Sequence, residues 1–171
     1  MDPTTERAMK GDREALADIV RQHYADVFRF CARTLDKQRA EDVAQDTFLR
    51  ASKLIIGFRG ESSVKTWLFG IAINCCRNER RKMKPTLPLQ DWDYAPGCNP
   101  SEGLIAAQAL KGAMSKLDDE HRDVVILHEM EGFTYDECAA ALKVPSGTVK
   151  SRLHYAFVRL RELLRERETA R

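Results

Sequence analysis

The chain has 171 residues, with 28 lysines and arginines against 26 aspartates and glutamates and a formal charge of +2. That length fits one mid-sized domain or two small ones, and so balanced a total leaves the distribution of charge to carry the information. No apolar run is long enough to cross a membrane and the opening MDPTTERAMKGDREAL is polar, which disfavours a span or a signal peptide and points to a cytoplasmic chain without membrane insertion.

The first half reads as helix throughout. Asp12 can cap a helix whose apolar set is Leu16, Ile19, Val20, Tyr24, Val27, Phe28, Cys31 and Leu35. Asp36 can cap the next, KQRAEDVAQDTFLRASKLI, in which Val43, Thr47, Ala51 and Leu54 suit a core. Asp42, Gln45, Asp46, Leu49 and Arg50 crowd its other side, an acidic surface with some apolar area. Gly57-Phe58-Arg59-Gly60 breaks the pattern, and Ser62 or Ser63 can cap a third helix, VKTWLFGIAINCCRNERRKM.

That third helix carries two faces. Val64, Trp67, Leu68, Ile71, Ala72, Cys75 and Cys76 form an apolar stripe of period 3.6. Asn74, Arg77, Asn78 and Arg81 form a polar one, flanked by Arg80 and Lys82. Guanidiniums with amides on one face suit phosphates and exposed bases, although cations near a helix C-terminus also suit the helix dipole.

Residues 83–100 hold Pro85, Pro88, Pro96, Pro100 and Gly97 and keep no period, so they read as a flexible linker. They divide the chain into a helical domain over 1–82 and a second over 101–171. The expected class is all-α: two small helical domains with modest cores, joined by a Pro-rich linker. In the second domain helices are expected over about 101–116, 119–130 and 134–142.

The final helix, PSGTVKSRLHYAFVRLRELL, follows a short turn at 143–146, with Ser146 a candidate N-cap. Val149, Leu153, Ala156, Leu160 and Leu164 give its buried stripe. Thr148, Ser151, Arg152, Tyr155 and Arg159 share another face, with Lys150 beside them. Hydroxyls, guanidiniums and a phenol suit phosphates and base edges, and the N-terminal turn favours a phosphate. Two helices joined by so short a turn, the second basic on its outer face, match a helix-turn-helix; an ordinary hairpin with a solvated face is the plainer alternative.

The five cysteines, Cys31, Cys75, Cys76, Cys98 and Cys138, have no CxxC spacing. Cys31, Cys75 and Cys138 lie on apolar stripes and read as reduced core thiols, without a disulfide framework. Nothing in the spacing supports a metal site from Cys98 with His121 or His128. No Ser/His/Asp or Cys/His set, Gly-rich phosphate loop or paired-carboxylate cleft stands out, so neither enzyme activity nor a cofactor is expected.

Three segments occur in one order: AEDVAQDTFLRA (40–51), FRGESSVKTWLFGIAINCCRNERR (58–81) and EGFTYDECAAALKVPSGTVKSRLHYAFVRLREL (131–163). Together they resemble the extracytoplasmic-function group of sigma factors in the sigma-70 family, over nearly the whole chain. The resemblance implies an initiation factor that binds core RNA polymerase and directs it to promoter DNA, in a stress or signal response held in check by an anti-sigma factor. Residues 1–82 would be sigma region 2 and 101–171 region 4, with the linker threading through polymerase. Asp42, Gln45, Asp46, Phe48 and Leu49 match the segment that docks on the β′ clamp helices; the β subunit is implied as a further contact. Asn74, Arg77, Asn78 and Arg81, with Arg80 and the loop residues Phe58 and Arg59, fall in the segment that engages and melts the −10 element. Thr148, Lys150, Ser151, Arg152, Tyr155 and Arg159 fall in the helix that reads the −35 element.

The chemistry agrees. Promoter opening needs one face that reads duplex in a major groove and another that holds a flipped base and single strand. A helix-turn-helix repressor or activator with a ligand-binding or dimerising N-terminal half is the runner-up; it would bind duplex DNA without polymerase. The chain also departs from the family pattern. Tyr155 and Phe157 stand where arginine is frequent, and Cys75-Cys76 is unusual in its helix. Lys143 occupies a turn position where glycine is common, and a positive φ there would cost on the order of 1 kcal/mol.

Overall fold

Four side chains decide where the first four helices begin. Asp2 accepts from the Thr5 amide and starts α1 (Pro3–Met9), which the sequence pattern did not reveal. Asp12 accepts from the Glu14 and Ala15 amides and starts α2 (Arg13–Ala32). Asp36 accepts from the Arg39 amide at α3 (Lys37–Leu54), and Ser63 from the Thr66 amide at α4 (Val64–Lys82). Each cap satisfies a backbone N–H that the helix leaves without a partner. The computed structural model describes residues 2–83 and 100–169. The expected linker, Cys98 within it, falls almost wholly outside them.

Helices α2, α3 and α4 pack on one another around Val27, Phe30, Cys31, Leu35, Ala44, Leu68 and Phe69. The Phe30 and Phe69 rings meet edge to face at 5.4 Å, a favourable aromatic geometry. Three expectations change here. Phe48 is buried and stacks on Tyr24 at 5.8 Å. Leu16 is only partly buried, and Ala15 and Phe30 take the deep positions on α2. Leu54 is 54% exposed, because a 3₁₀ turn (Ile55–Gly57) tightens the end of α3 and turns Ile55 inward instead.

The second half contains α5 (Pro100–Ser115), α6 (Asp119–Val125), a π turn (Ile126–Met130), α7 (Tyr135–Leu142) and α8 (Ser146–Thr169). The helix expected over 119–130 thus changes hand-hold halfway. The Glu131 amide donates to the Ile126 carbonyl at 3.0 Å, and the Phe133 amide to Leu127 at 3.0 Å. Nδ1 of His128 lies 2.7 Å from the Phe133 carbonyl oxygen and ties the turn down. Helix α7 opens on a capping box: Thr134 receives the Glu137 amide, and the Glu137 carboxylate receives that of Thr134. In α8 it is the Pro145 carbonyl that accepts the first amides, from Thr148 at 2.9 Å and Val149 at 3.2 Å. Ser146 lies inside the first turn, so the expected Ser146 cap is replaced. The buried stripe of α8 closes on Leu163, with Leu164 only partly covered.

Lys143 ends α7 at φ 54° and ψ 47°. It is the single non-glycine residue with positive φ among the described residues. Lys143→Gly is therefore expected to stabilise the protein by about 0.5–1 kcal/mol. Relief of about 1–2 kcal/mol of left-handed strain is offset by about 0.4–1 kcal/mol from the freer unfolded glycine. A rise in the urea midpoint at constant m-value checks this; an unmoved or lower midpoint would remove the strain argument.

The two halves are packed together. One contiguous apolar cluster runs through both. Phe69 of α4 meets Phe133 at 4.8 Å, and α4 lies against α7 so closely that a Cβ on Gly70 would sit 3.0 Å from the Ala141 carbonyl oxygen. Two separate modest cores were the expectation. Phe69 and Ile73, outside the expected stripe of α4, are buried.

Candidate nucleic-acid interface

Helix α8 presents the first candidate face. Lys150, Ser151, Tyr155 and Arg159 are exposed and Thr148 is half-buried. Tyr155 is 62% exposed, with Phe157 and Val158 also at the surface. Several of these groups have local partners. The Lys150 ammonium lies 5.4 Å from the centre of the Tyr135 ring, Ser151 Oγ donates to the Thr148 carbonyl at 3.0 Å, and Arg159 pairs with Glu162 at 3.0 Å. Arg152 departs from the freely exposed position expected of it. Its side chain leans towards α6, where Nη2 lies 2.5 Å from Glu120 Oε2.

The polar face of α4 is the second. Asn74, Asn78 and Arg81 are exposed, and Asn74 Nδ2 donates to the Gly70 carbonyl at 3.0 Å. Arg77 and Arg80 turn the other way. Arg77 Nε donates to Asp123 Oδ2 at 2.7 Å, and Arg80 Nη2 to Asp123 Oδ1 at 3.2 Å. Asp123 is fully buried. Burial pushes its carboxyl above the ordinary range, while the two guanidiniums pull the other way. The sequence could not separate these two arginines from Arg81, because their partner lies on a helix of the other half.

Beside this face the loop after α3 forms an open cleft of about 670 Å³ with α4 and α7. Phe58, Arg59 and Asn74 line it together with Trp67, Ile71 and Ala141. Phe58 is buried against Trp67, ring centres 5.1 Å apart, so it shapes the cleft wall rather than standing free as the loop pattern suggested. Arg59 is exposed, with Glu61 3.8 Å away.

The third face is the outer side of α3. Asp42, Gln45 and Leu49 are exposed, and Asp46 receives Arg50 Nε at 2.9 Å. Leu49 is 63% exposed and is extended by Leu54 and Ile56, the latter 68% exposed. Leu54 and Ile56 escaped the sequence pattern because the 3₁₀ turn breaks the helical period. Phe48, expected among the docking residues, belongs to the core.

The four described cysteines, Cys31, Cys75, Cys76 and Cys138, are buried free thiols. Cys31 and Cys76 Sγ atoms lie 3.5 Å apart in the core. The contact with Cys76 raises the Cys31 thiol well above its ordinary value, burial raises Cys75, and burial pushes Cys138 to about 11. Such thiols carry little thiolate at neutral pH. Among the described residues no set of His, Cys, Asp and Glu is arranged to hold a metal ion. Among them, too, no helix is long and apolar enough to cross a membrane.

Comparison with known proteins gives these faces a context. The sigma-70 region 2 profile matches residues 19–86, and the sigma-70 region 4 profile residues 113–162. The chain is 31% identical to the ECF RNA polymerase sigma factor SigW of Bacillus subtilis, covering 92% of each chain. It is 34% identical to the ECF RNA polymerase sigma factor SigM of Mycobacterium tuberculosis, over 90% of this chain and 79% of that one. The fold superposes on CnrH, solved with the cytosolic domain of CnrY, at a TM-score of 0.72, 24% identity and coverage of 95% and 96%. It also superposes on the sigma factor RpoE of Bartonella quintana, solved with the anti-sigma factor NepR, at a TM-score of 0.63, 28% identity and coverage of 85% and 94%. With both profiles matched and relatives at 31% and 34% identity aligned over nine-tenths of the chain, it belongs to the extracytoplasmic-function group of sigma-70 RNA polymerase sigma factors and is a transcription initiation factor.

Proposed function

We propose that the three faces divide the work of initiation between them. The outer side of α3, with Asp42, Gln45, Asp46 and Leu49 joined by Leu54 and Ile56, docks on the β′ clamp helices of core polymerase. Its support is the mixture of exposed apolar area and carboxylates, which favours a protein partner and discourages DNA. Asn74, Asn78 and Arg81, with Arg59 at the cleft, hold the melted −10 strand, and Arg77 and Arg80 join them when released from Asp123. The exposed start of α8 reads the −35 element, with Thr148, Lys150, Ser151, Arg152, Tyr155 and Arg159 at the groove. Residues 1–82 act as the polymerase and −10 unit, 101–171 as the −35 unit. The chain works in the cytoplasm by binding rather than catalysis. RpoE of Bartonella quintana was solved with an anti-sigma factor, which supports a regulator of that class here, relieved by a stress or other signal.

The observation that carries the reading is the exposed face of Lys150, Ser151 and Tyr155 on the first turns of α8, continued by Arg159, behind a tight turn. Transcription in vitro with core polymerase on a randomised promoter library tests it: selection of paired −35 and −10 sequences is expected, and library-wide silence would sink it.

Two variants test the division of labour. Asp46→Arg should weaken retention on core polymerase while the fold holds, because the Asp46 side chain is nearly half exposed and its ion pair with Arg50 is at the surface. Unchanged retention at moderate salt would remove α3 from the docking surface. Asn78→Ala with Arg81→Ala should cut promoter opening on the order of ten-fold, about one charge-assisted hydrogen bond at ~1.5 kcal/mol. Permanganate reactivity of thymines reports opening. Normal opening with weakened duplex binding would reverse the assignment.

A further inference from the structure

Side chains from three elements form one column beside the start of α8. His128 of the π turn stacks on Tyr135, ring centres 4.6 Å apart and planes 20° from parallel. The Lys150 ammonium of α8 lies 5.4 Å from the centre of the same Tyr135 ring, within cation–π range. Both rings are fixed. His128 Nδ1 lies 2.7 Å from the Phe133 carbonyl oxygen, and a carbonyl only accepts, so Nδ1 donates. Tyr135 is the first residue of α7, directly behind the Thr134–Glu137 capping box. The π turn that supplies His128 is a rare form that recurs at functional sites. Tyr135 keeps 37% of its surface exposed and Lys150 is exposed, so the column is not a core contact.

We propose that Tyr135 is a positioning residue of the −35 interface: held by His128, its ring aims the Lys150 ammonium at the DNA backbone. A lysine has a flexible four-carbon stem and loses that freedom when it meets a phosphate. A ring already beside the ammonium confines it before DNA arrives. Lysine binds phosphate as a point charge, so the place of the charge decides which phosphate it meets. The neighbouring cations are held differently. Arg152 and Arg159 pair with the carboxylates of Glu120 and Glu162, and a phosphate must displace those. An aromatic face attracts the ammonium without occupying a hydrogen-bond acceptor site, which leaves N–H donors for phosphate oxygens. The −35 unit thereby includes a residue of α7, the helix before the recognition helix. This inference rests on the −35 reading of α8.

The test uses core polymerase loaded with the native chain or a variant. Each is titrated with a fluorescent duplex carrying a promoter selected from the randomised library, at several salt concentrations. Tyr135→Leu should weaken binding about three- to ten-fold, whereas Tyr135→Phe, which keeps the ring, should stay within about two-fold of native. Lys150→Ala should lower the salt slope by about one, and adding Tyr135→Leu to it should cost nothing more. In the free native chain the ε-methylene protons of Lys150, identified by their loss in Lys150→Ala, should be shifted upfield in proton NMR by the Tyr135 ring. Unshifted protons would overturn the proposal without any Tyr135 variant having to fold. So would a Tyr135→Phe loss as large as that of Tyr135→Leu, which would put the hydroxyl on DNA. A Tyr135→Leu loss that persists beside Lys150→Ala would mean that the ring acts through the fold of α7 alone, and tighter binding by Tyr135→Leu would mean that the ring withholds the lysine; either result overturns it. Failure of the −35 reading looks different: Lys150→Ala then leaves both affinity and salt slope unmoved, although the NMR shift is present.

Discussion

Arg122→Met is expected to destabilise the C-terminal half by about 3–5 kcal/mol, the range for removing one partner of a buried charged network. Arg122 is almost wholly buried. Its Nε donates to the Met114 carbonyl at 3.0 Å, and Nη2 donates to Ser115 at 3.1 Å and to Leu117 at 2.6 Å. Nη1 reaches Asp119 at 3.0 Å. The last carbonyls of a helix have no amide partner within it, and this one guanidinium gathers Met114 and Ser115 at the end of α5 with Leu117 just beyond it. Methionine fills the volume but takes this donor from the Ser115 and Leu117 carbonyls in a dry site, at about 1–3 kcal/mol each before relaxation, while the Met114 carbonyl keeps the Leu117 amide at 3.2 Å. Desolvation lowers the Arg122 pKa, with the nearby Arg80 adding to it, while the Asp119 and Asp123 carboxylates pull the other way, so the charge is held against a penalty. Lysine should rescue only in part, since it lacks the planar fork. Thermal unfolding by circular dichroism is the measurement, and a loss of about 10 °C or more is expected for a chain of this size. A midpoint within about 2 °C of the native value would mean that the α5 carbonyls find other partners.

The second large effect lies at the DNA. Arg152→Ala should weaken −35-dependent binding by ~1–3 kcal/mol, roughly ten- to a hundred-fold. Arg152 now sits beside Glu120, and Glu120 is itself more than half exposed at its side chain, so the pair is screened and easily exchanged for a phosphate. That favours the phosphate role over a base edge: all −35 sequences should weaken alike, and the salt slope should fall by about one. Relaxed choice at one −35 position would instead place the guanidinium on a guanine. Arg152→Lys separates the roles further, keeping charge without the fork. Selection from a randomised −35 library at several salt concentrations reads both. No change in either selection or affinity would mean that α8 does not enter the groove.

The helices were legible because their starts are local. Asp12, Asp36 and Ser63 each bond an amide two or three positions on, and nothing distant decides that. The strained Lys143 was legible for the same reason. The positions whose surroundings differ from the pattern share a cause of the opposite kind. Phe48 is buried and Leu54 exposed because Tyr24 and the turn at Ile55–Gly57 set the surface of α3. Phe58 is absorbed by Trp67. Phe69, Ile73, Arg77 and Arg80 face partners far along the chain, and helical period says which residues share a face but not what covers it. Nor does any spacing mark Arg122 or Asp123 as buried among the charges of DEHRDVV, the sequence of α6. The candidate faces were therefore found, while the contacts that restrain them were not.

Helix α8 has one further property. It is a single span from Ser146 to Thr169, anchored along Val149, Leu153, Ala156, Leu160 and Leu163. From Thr148 to Leu163 it measures about 22 Å at 1.5 Å per residue. On the proposed −35 assignment it would act as a stiff pointer with its pivot in the core and its tip at the DNA. A tilt of about 5° at the far end moves the tip by about 2 Å, comparable to the tolerance of a base contact. On that assignment promoter preference would drift through substitutions at Leu160 or Leu163, which are buried in the core.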